Sequence, residues 1–558
     1  MKVDEKNFAG KGAGSCVEHL DMRQKLTIML AIMASMLFAA LNQTIVGTAL
    51  PRIVTELGGM EYFNWVFTIF MLTSSVTAIL VGKLSDIYGR KPFILSGLGI
   101  FMVGSFLCGT SADMIQLIIY RGVQGFGGGM IMSTAFTAVG DLFPPRERGR
   151  WQGLMGSVFG LASVFGPTLG GYIVDHFDWH WVFWVFLPVG IIAFLLILRL
   201  FPATAPGVKR KIDYYGSLFL VCTMIPLLLA FTWAGNQYSW TSVEILGLLT
   251  ASVVAFVLFI ITERRVTNPV LPLYLFKNNV FSLSNAIGFL IGIGMFGAIM
   301  YMPFFIQGVM GTSAAKSGFV MMFMTLSMVV FSAITGQLVT RTGKYKKLAL
   351  TGLTIMGVGM YLLTLMSTET SNVSAALHLV ILGCGLGMAF PIFNLTVQNA
   401  VPHRELGVAT AAIQLFRQMG GTVGVSIMGT ILSTRMESRL TDGVTKDPDL
   451  AANPEIAEKW KALKDPQILL SPEQLAAIKS QIPPEMSGLF ERFIDFLREA
   501  MNYGLSGVFL MGTGVMILAL LLTLFLREIP LRTTNRDPAE EEESSTSRNR
   551  STKPQPEG

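Results

Sequence analysis

Long apolar runs alternate with short polar breaks along most of the chain. A helix needs about twenty apolar residues to cross the hydrocarbon core of a bilayer, and the runs have lengths of this order. The pattern therefore predicts an all-α polytopic membrane protein with fourteen spans. The predicted spans lie near residues 26–50, 63–82, 93–111, 114–140, 152–173, 181–200, 214–234, 242–262, 280–307, 316–340, 347–367, 375–398, 407–433 and 501–526.

Basic residues are concentrated in every second break between the predicted spans. Loops rich in Lys and Arg remain on the cytoplasmic side of a membrane. These breaks and both chain ends are therefore predicted to be cytoplasmic, which requires an even number of spans. Apart from the long external segment 435–500, to which the rule for short loops does not apply, the opposite breaks hold only Arg52 and Lys316. The basic breaks hold Lys83, Arg90, Lys91, Arg146, Arg148, Arg150, Arg199, Lys209, Arg210, Lys211, Arg264, Arg265, Lys277, Arg341, Lys344, Lys346, Lys347 and Arg404.

Besides the short breaks, three longer regions of the chain lie outside the predicted spans. In the external segment 435–500, "NPEIAEKW" and "SPEQLAAI" each begin with a helix-capping residue followed by proline. We expect a small helical hairpin there, with a plain linker as the alternative, and the amphipathic "LFERFIDFLREAM" leads into the last span. Residues 1–25 form a polar cytoplasmic tail that lacks the features of a cleavable signal peptide. Residues 533–558 are predicted to be a disordered cytoplasmic tail.

Composition supports the membrane assignment and argues against several other classes of protein. Of the 558 residues, 52% are hydrophobic and only 14% are charged, whereas soluble domains carry about a quarter charged residues. The net charge of +6 comes mainly from the basic breaks, so it does not indicate binding to nucleic acid. Cys16, Cys108, Cys222 and Cys384 lie in the N-terminal tail or in apolar runs, so we expect no disulfide and no metal site. The sequence shows no nucleophile–base set and no nucleotide-binding loop, so we expect neither an enzyme nor a cofactor.

The chain contains an internal repeat. "GKLSDIYGRKP" at 82–92 is echoed by "GQLVTRTGKYK" at 336–346, and "FPPRERGRWQG" at 143–153 is echoed by "VPHRELGVATA" at 401–411. The two pairs have nearly the same separation along the chain. Two halves repeated in one orientation imply a pseudo-two-fold axis along the membrane normal, with a substrate site between the halves.

The repeat predicts the division of the chain into domains. An N-terminal six-helix bundle is expected at 26–200 and a C-terminal six-helix bundle, including the external segment, at 280–532. Residues 201–279 then form a linker that contains two extra transmembrane helices, because these two spans belong to neither half.

With these motifs in order, the chain resembles the major facilitator superfamily and, within it, the fourteen-span drug:proton antiporter family. "GKLSDIYGRKP" resembles the signature that follows span two, and "YRGVQGFGGG" at 120–129 resembles the span-four motif. "LNQTIVGTALP" at 41–51 resembles the span-one motif, and "WHWVFWVFLPVG" at 179–190 resembles a stretch typical of the fourteen-span branch. The resemblance covers nearly everything from 26 to 532 apart from the external segment. It implies a major facilitator fold with two additional spans between the bundles.

The resemblance implies a gating role for the first repeated motif, which in this superfamily latches the cytoplasmic gate when the protein is open to the outside. Asp86 is expected to meet a helix N-terminus in the other half, where the helix dipole favours a carboxylate. Arg90 is expected to pair with acidic groups. The alternative for the basic residues is that they only set topology. The predicted gating residues are Gly82, Asp86, Gly89, Arg90, Gly336 and Gly343.

The family's span-five antiporter motif is largely present. It has the form Gly-x(8)-Gly-x(3)-Gly-Pro-x(2)-Gly-Gly, and the chain departs from it only at Ala162, which replaces the second glycine. Small residues allow close helix contact and proline can bend a span. The matching residues are Gly153, Gly166, Pro167, Gly170 and Gly171.

Two arginines lie inside predicted spans. A charge at the membrane centre costs about 2.5–3.5 kcal/mol on insertion scales, so Arg121 and Arg417 are expected to face the protein interior or water. The resemblance implies proton coupling for Arg121, and we include Asp141 and Arg417 as coupling candidates. A structural role in binding backbone carbonyls is the alternative. Family members commonly carry Asp in span one at the position of Asn42, which cannot titrate, and this departure favours neutral or anionic substrates.

Polar and aromatic residues in the spans are expected to line a substrate cavity, although some of the amides could serve only as bonds between helices. The predicted cavity residues are Asn42, Gln43, Trp65, Gln124, Gln307, Phe390, Asn394 and Gln398. The sequence thus predicts a monomeric, proton-driven exporter of hydrophobic or amphiphilic small molecules in the cytoplasmic membrane, with protons and the lipid bilayer as its other partners. A lipid exporter and a non-transporting sensor on the same scaffold are the alternatives.

Overall fold

The computed structural model describes residues 21–58, 62–202, 213–234, 237–312, 314–402, 405–446 and 487–531. Within these ranges the chain is almost entirely helical and has no β-strand. The helices are α1 Met22–Leu57, α2 Phe63–Tyr88, α3 Arg90–Cys108, α4 Met114–Leu142, α5 Pro145–His176, α6 Trp181–Trp184, α7 Leu187–Leu200, α8 Tyr214–Trp233, α9 Val243–Glu263, α10 Asn279–Pro303, α11 Ala314–Thr342, α12 Lys346–Thr364, α13 Asn372–Asn399, α14 Leu406–Lys446 and α15 Ser487–Leu524. A 3₁₀ helix at Leu273–Lys277 precedes α10, and a π-helical segment at Phe304–Val309 follows it.

Eleven stretches of the described chain are long and apolar enough to cross a membrane, with α6 and α7 together forming one of them. The long helices α4, α5 and α14 fall outside this set. Their sequences explain the difference, since each combines interior arginines or polar residues with many glycines. Such residues suit a helix that packs among other helices and not against lipid. The count of fourteen spans remains a prediction.

The helices of the two halves have the same neighbours. In the first half α1 packs on α5 and α4 packs on both α2 and α3, while in the second half α10 packs on α14 and α13 packs on both α11 and α12. A lysine at the start of α3 and one at the start of α12 make similar bonds to the end of the last helix in their half: Lys91 Nζ donates to the carbonyl of Phe201 at 2.8 Å, and Lys346 Nζ donates to that of Leu524 at 2.9 Å. The repeated sequence motifs therefore occupy equivalent places in two similar bundles.

The halves meet mainly along two helix pairs, α2 with α14 and α5 with α11. In the internal repeat α2 corresponds to α11 and α5 corresponds to α14, so the two contacts are equivalent. The inserted helices α8 and α9 pack on each other, and α8 also touches both α2 and α14. Trp65 of α2 lies edge-on to Trp233 of α8 with ring centres 5.7 Å apart. Trp240 donates to Thr430 of α14 at 2.8 Å. The inserted pair thus contacts both halves.

Where the structure describes it, the external segment predicted at 435–500 is helical and not an extended loop. Helix α14 continues to Lys446 without a break, and α15 already begins at Ser487. The apolar side of the amphipathic stretch is buried in the protein, at Phe490, Phe493 and Leu497, and does not form a free lipid-binding face. The predicted hairpin helices at 453–460 and 471–478 lie outside the described residues, as do residues 1–20 and 532–558.

Candidate functional site

The end of the molecule that carries the basic breaks, which we name the basic end, is where α2 and α14 approach most closely. A Cβ atom added to Gly82 would lie 2.6 Å from the Cβ of Ala411 and 2.9 Å from the carbonyl oxygen of Gly407. A Cβ at Gly407 would lie 2.3 Å from the carbonyl oxygen of Gly82. Both positions therefore require glycine for this contact between the halves.

Asp86 extends this contact to the first turn of α14. Its carboxylate accepts hydrogen bonds from the backbone N–H groups of Gly407 and Val408, each at 3.1 Å. These N–H groups have no partner within the helix, and the helix dipole favours a negative charge at this position. One side chain of the first half thereby holds a helix end of the second half.

Arg90 joins two carboxylates beneath the same contact. Its guanidinium pairs with Asp86, donates to Asp141 at 2.9 Å and donates to the hydroxyl of Ser85 at 2.6 Å. Asp141 lies at the end of α4, so the ion pairs connect α2, α3 and α4. Gly89 between Asp86 and Arg90 has a φ of 89°, a conformation that favours glycine and allows the turn from α2 into α3.

A second contact between the halves joins α5 to α11. The Arg146 guanidinium donates to the carbonyl of Thr340 at 3.1 Å and to that of Arg341 at 3.4 Å, at the C-terminal end of α11. A cation at a helix C-terminus is favourable, so this contact has the opposite polarity to the one made by Asp86. A Cβ at Gly336 would lie 2.3 Å from the carbonyl oxygen of Gly149. Gly343, with φ of 67°, ends the turn that follows α11.

A buried amide pair lies next to these contacts. Gln152 of α5 donates to the side-chain oxygen of Gln398 of α13 at 2.8 Å. The Gln398 amide in turn donates to Thr410 at 3.0 Å and to the carbonyl of Phe136 at 3.3 Å. Gln152, Gln398 and Thr410 are at most 1% exposed. This network links α4 and α5 of one half to α13 and α14 of the other.

An aromatic pair and an arginine lie further from the basic end than the Gln152–Gln398 pair. The Phe390 ring is 6.2 Å from the Phe136 ring of the other half, and the Arg417 guanidinium carbon is 4.0 Å from the centre of the Phe390 ring. A cation over an aromatic face at this distance gains about 0.5–2 kcal/mol. Asn394, one turn from Phe390 on the same side of α13, is 1% exposed, and within the described part of the chain neither of its polar side-chain atoms has a hydrogen-bond partner.

Arg121 is fully buried in the first half. It donates to the side-chain oxygen of Asn42 at 3.0 Å and to that of Gln124 at 2.7 Å, and its guanidinium carbon lies 4.4 Å from the centre of the Phe70 ring. Asn42 also donates to Ser105 at 3.3 Å. The predicted residues Asn42, Arg121 and Gln124 thus form one network, which contains no carboxylate among the described residues.

The antiporter-motif glycines have different surroundings. A Cβ at Gly153 would lie 2.5 Å from the carbonyl oxygen of Ser332 in the other half, whereas a Cβ at Gly166 would lie 2.0 Å from the hydroxyl of Thr44 in the same half. Gly170 is buried, and a Cβ at Gly171 would meet nothing within 4 Å. The side chain of Pro167 lies outside the described set.

The structure does not bring all predicted cavity residues to one place. Phe390, Asn394 and Gln398 share one side of α13 between the halves. Trp65 packs on the inserted helix α8. Gln43 in α1 and Gln307 in the π-helical segment are half-buried, and neither belongs to the α13 group.

Two residues at the interface were missed by the sequence analysis. Gln152 was only the first residue of the predicted span 152–173, because its partner Gln398 lies on another helix, and Arg146 was counted only as a topology signal. The available sequence signal was the pairing of the motifs at 143–153 and 401–411, because repeated segments occupy equivalent positions in the two bundles.

Comparisons with known proteins match this architecture. The profile of the Major Facilitator Superfamily matches residues 32–425. The multidrug transporter protein MdtP of Bacillus subtilis is 39% identical over 529 residues, which are 93% of this chain and 96% of that protein. Multidrug resistance protein 3 of the same organism is 34% identical over 507 residues, covering 91% and 96%. Among solved structures, the human organic anion transporter MFSD10 has a TM-score of 0.58 at 14% identity, covering 89% of this chain and 99% of that one, and it shows the fold alone.

Proposed function

The chain belongs to the major facilitator superfamily, and on that premise we propose that it is a secondary active exporter of hydrophobic or amphiphilic small molecules, driven by proton antiport. The family makes it a membrane transporter and not an enzyme. The names of its relatives, a multidrug transporter and a multidrug resistance protein, support export as the direction of transport.

The contact of Asp86 with the start of α14 is the observation that carries this proposal. A carboxylate of one half that holds a helix end of the other half makes a reversible connection. In alternating access the two bundles rock about a site between them, so the connection must form in one state and break in the other. We assign 26–200 and 280–532 to the rocking bundles and 201–279 to the linker.

The basic end is the cytoplasmic end in this proposal, by the positive-inside rule, and both termini lie in the cytoplasm. The described arrangement then has its cytoplasmic side closed by Asp86, Arg146 and Gln152. Substrate would enter from the cytoplasm or the inner leaflet after these contacts separate. We propose the cell membrane as the location and the monomer as the working unit.

Proton coupling needs a titratable group whose exposure changes during the cycle. Asn42 cannot supply it. Asp86 and Asp141 share Arg90 at the closed end, so opening the gate changes the surroundings of both carboxylates. We propose these two, with Arg121 and Arg417 setting the charge of the interior, as coupling residues.

The test is dye efflux from energised cells, with and without a protonophore, by wild type and by Asp86→Asn at equal membrane abundance. A set of dyes with different charges should include at least one that leaves wild-type cells faster than control cells, and the protonophore should abolish the difference. An efflux rate that the protonophore leaves unchanged would overturn proton antiport. Absence of efflux for every dye would favour the sensor alternative.

A further inference from the structure

Helices α13 and α14 are consecutive, so they run antiparallel and residues at equal distances from their connection lie side by side. Two observed contacts fix this register: Gln398 bonds to Thr410 near the connection, and Phe390 lies against Arg417 about two turns further on. Asn394 is midway between Gln398 and Phe390. Gln414 is midway between Thr410 and Arg417 on the facing helix, so it lies at the level of Asn394.

Several polar atoms at this level have no hydrogen-bond partner among the described residues. The Asn394 side-chain oxygen and nitrogen and the Gln414 side-chain nitrogen are buried without a hydrogen bond. Ser133 of α4 is fully buried with an unpartnered hydroxyl, and it shares a helix face with Phe136, which contacts Phe390 and Gln398. Each buried polar group left unsatisfied costs about 1–3 kcal/mol. Such a concentration between the halves indicates a ligand site.

The charge of the cluster indicates which ligand it takes. The Arg417 guanidinium lies on the Phe390 ring, and the described part of the chain places no carboxylate beside it. Arg417, Asn394 and Gln414 together present mainly N–H donors. Donors around an uncompensated cation match an oxyanion, and planar guanidinium groups bind carboxylate-type oxygens in pairs.

We propose that this cluster, Ser133, Phe390, Asn394, Gln414 and Arg417, binds the carboxylate or sulfonate head group of an anionic amphiphile. The apolar body of the substrate packs on the rings of Phe136 and Phe390. This inference rests on the proposed export function and names the substrate class of that same central site.

The test compares two dyes that share a xanthene ring system, anionic fluorescein and cationic rhodamine 6G, for binding to the purified full-length protein in lipid nanodiscs. Wild type should bind fluorescein, and Arg417→Gln should weaken this binding about tenfold or more, because a hydrogen-bonded charge partner is lost. Asn394→Asp, which keeps the shape of the side chain and adds a negative charge, should weaken it similarly. Rhodamine 6G binding should tighten in both variants, because each substitution makes the site one charge more negative.

Arg435→Gln is the matched control. Arg435 lies on the same helix, about five turns beyond Arg417, with its guanidinium carbon 4.3 Å from the centre of the Tyr503 ring. It should leave fluorescein binding unchanged. Equal loss of both dyes in the two cluster variants, or unchanged fluorescein binding in both, would overturn the proposal.

Failure of the inference differs from failure of the proposed function. Protonophore-sensitive export of rhodamine 6G by a wild type that does not bind fluorescein would retain the exporter and reject the oxyanion site. A wild type that binds neither of these dyes and exports no dye of the larger set would reject both.

Discussion

Gln152 of α5 and Gln398 of α13 join the two halves of the molecule through a buried hydrogen bond of 2.8 Å. Neither side chain reaches solvent in this arrangement. In the proposed transport cycle the bond can hold only while the basic end is closed, because the two residues belong to different halves. Opening that end separates the two amides and leaves each to find water or another partner. This pair therefore contributes to the preference for the closed state without carrying any charge.

Gln152→Ala should shift the conformational equilibrium toward the state that is open at the basic end. Losing one buried hydrogen bond and leaving the Gln398 oxygen unpartnered costs the closed state about 1–3 kcal/mol. Spin labels on Tyr88→Cys and Lys344→Cys, one on each half, would report a larger fraction of long distances, in a background without the native cysteines. Gln116→Ala at the opposite end of the first half is the control. The same distance distribution in Gln152→Ala and wild type would contradict this role.

Asp86→Asn should fold and insert normally but transport slowly. Asparagine can still accept one backbone N–H from the start of α14, but it cannot pair with Arg90 or respond to the helix dipole as a charge. Initial efflux rates at matched membrane abundance measure the effect. The control is Glu147→Gln, an exposed acidic residue at the same end. A rate for Asp86→Asn near that of wild type would remove the gate from the mechanism.

The sequence predicted the charged contacts at the basic end more fully than the centre, while their role as a gate stays a prediction. Asp86 and Arg90 belong to a local frame that occurs twice in the chain, and a carboxylate in that frame has few structural roles besides meeting a helix end. The partner of Arg417 could not be predicted in the same way, because Phe390 is on another helix and only the register of α13 and α14 brings the two together. Gln152 was missed for the same reason.

Gly166→Leu should destabilise the first half itself. A Cβ at this position would meet Thr44 of α1 within the same bundle at 2.0 Å, so this glycine serves packing inside the first half. Overpacking a tight contact costs about 1–3 kcal/mol. The thermal unfolding temperature of the purified protein should fall, and substrate binding should fall with it. Gly171→Leu, with open space around its Cβ, should retain the wild-type unfolding temperature; equal temperatures for both variants would contradict the packing argument.

Arg146→Gln should weaken the second contact between the halves by a smaller amount. Arg146 is exposed, and a cation at a helix C-terminus contributes about 0.3–1 kcal/mol under such conditions. The same spin-label pair should show a modest increase in long distances, reduced at high salt because exposed charges are screened. Arg150→Gln, also exposed at this end, is the control. A salt-independent shift would indicate that Arg146 acts through packing and not through charge.

Asn42→Asp should move the charge preference of the transporter toward cations. The Asn42 oxygen already accepts from Arg121 at 3.0 Å, so a carboxylate there would form a buried ion pair without rearrangement. The added charge would neutralise Arg121, and a unit charge changes the energy of a charged substrate about 10 Å away by about 1–2 kcal/mol at an effective dielectric constant of 20. Because the two dyes carry opposite charges, their energies change in opposite directions, and the ratio of rhodamine 6G to fluorescein efflux should rise by about thirtyfold or more relative to wild type.

The Asn42→Asp variant should also remain folded, because its new carboxylate is paired with Arg121. A buried carboxylate without such a partner would instead destabilise the protein. The one unfavourable change in Asn42→Asp is at Ser105, whose hydroxyl donates to the carbonyl of Phe183 at 2.7 Å and would then face an acceptor in place of the Asn42 amide. Asn285→Asp is the control, because Asn285 is equally buried in α10 and no arginine contacts it among the described residues. That variant should lose membrane abundance, since an unpaired buried charge is expensive. If the dye ratio of Asn42→Asp stays at the wild-type value while the protein remains folded, residue 42 does not set the charge preference.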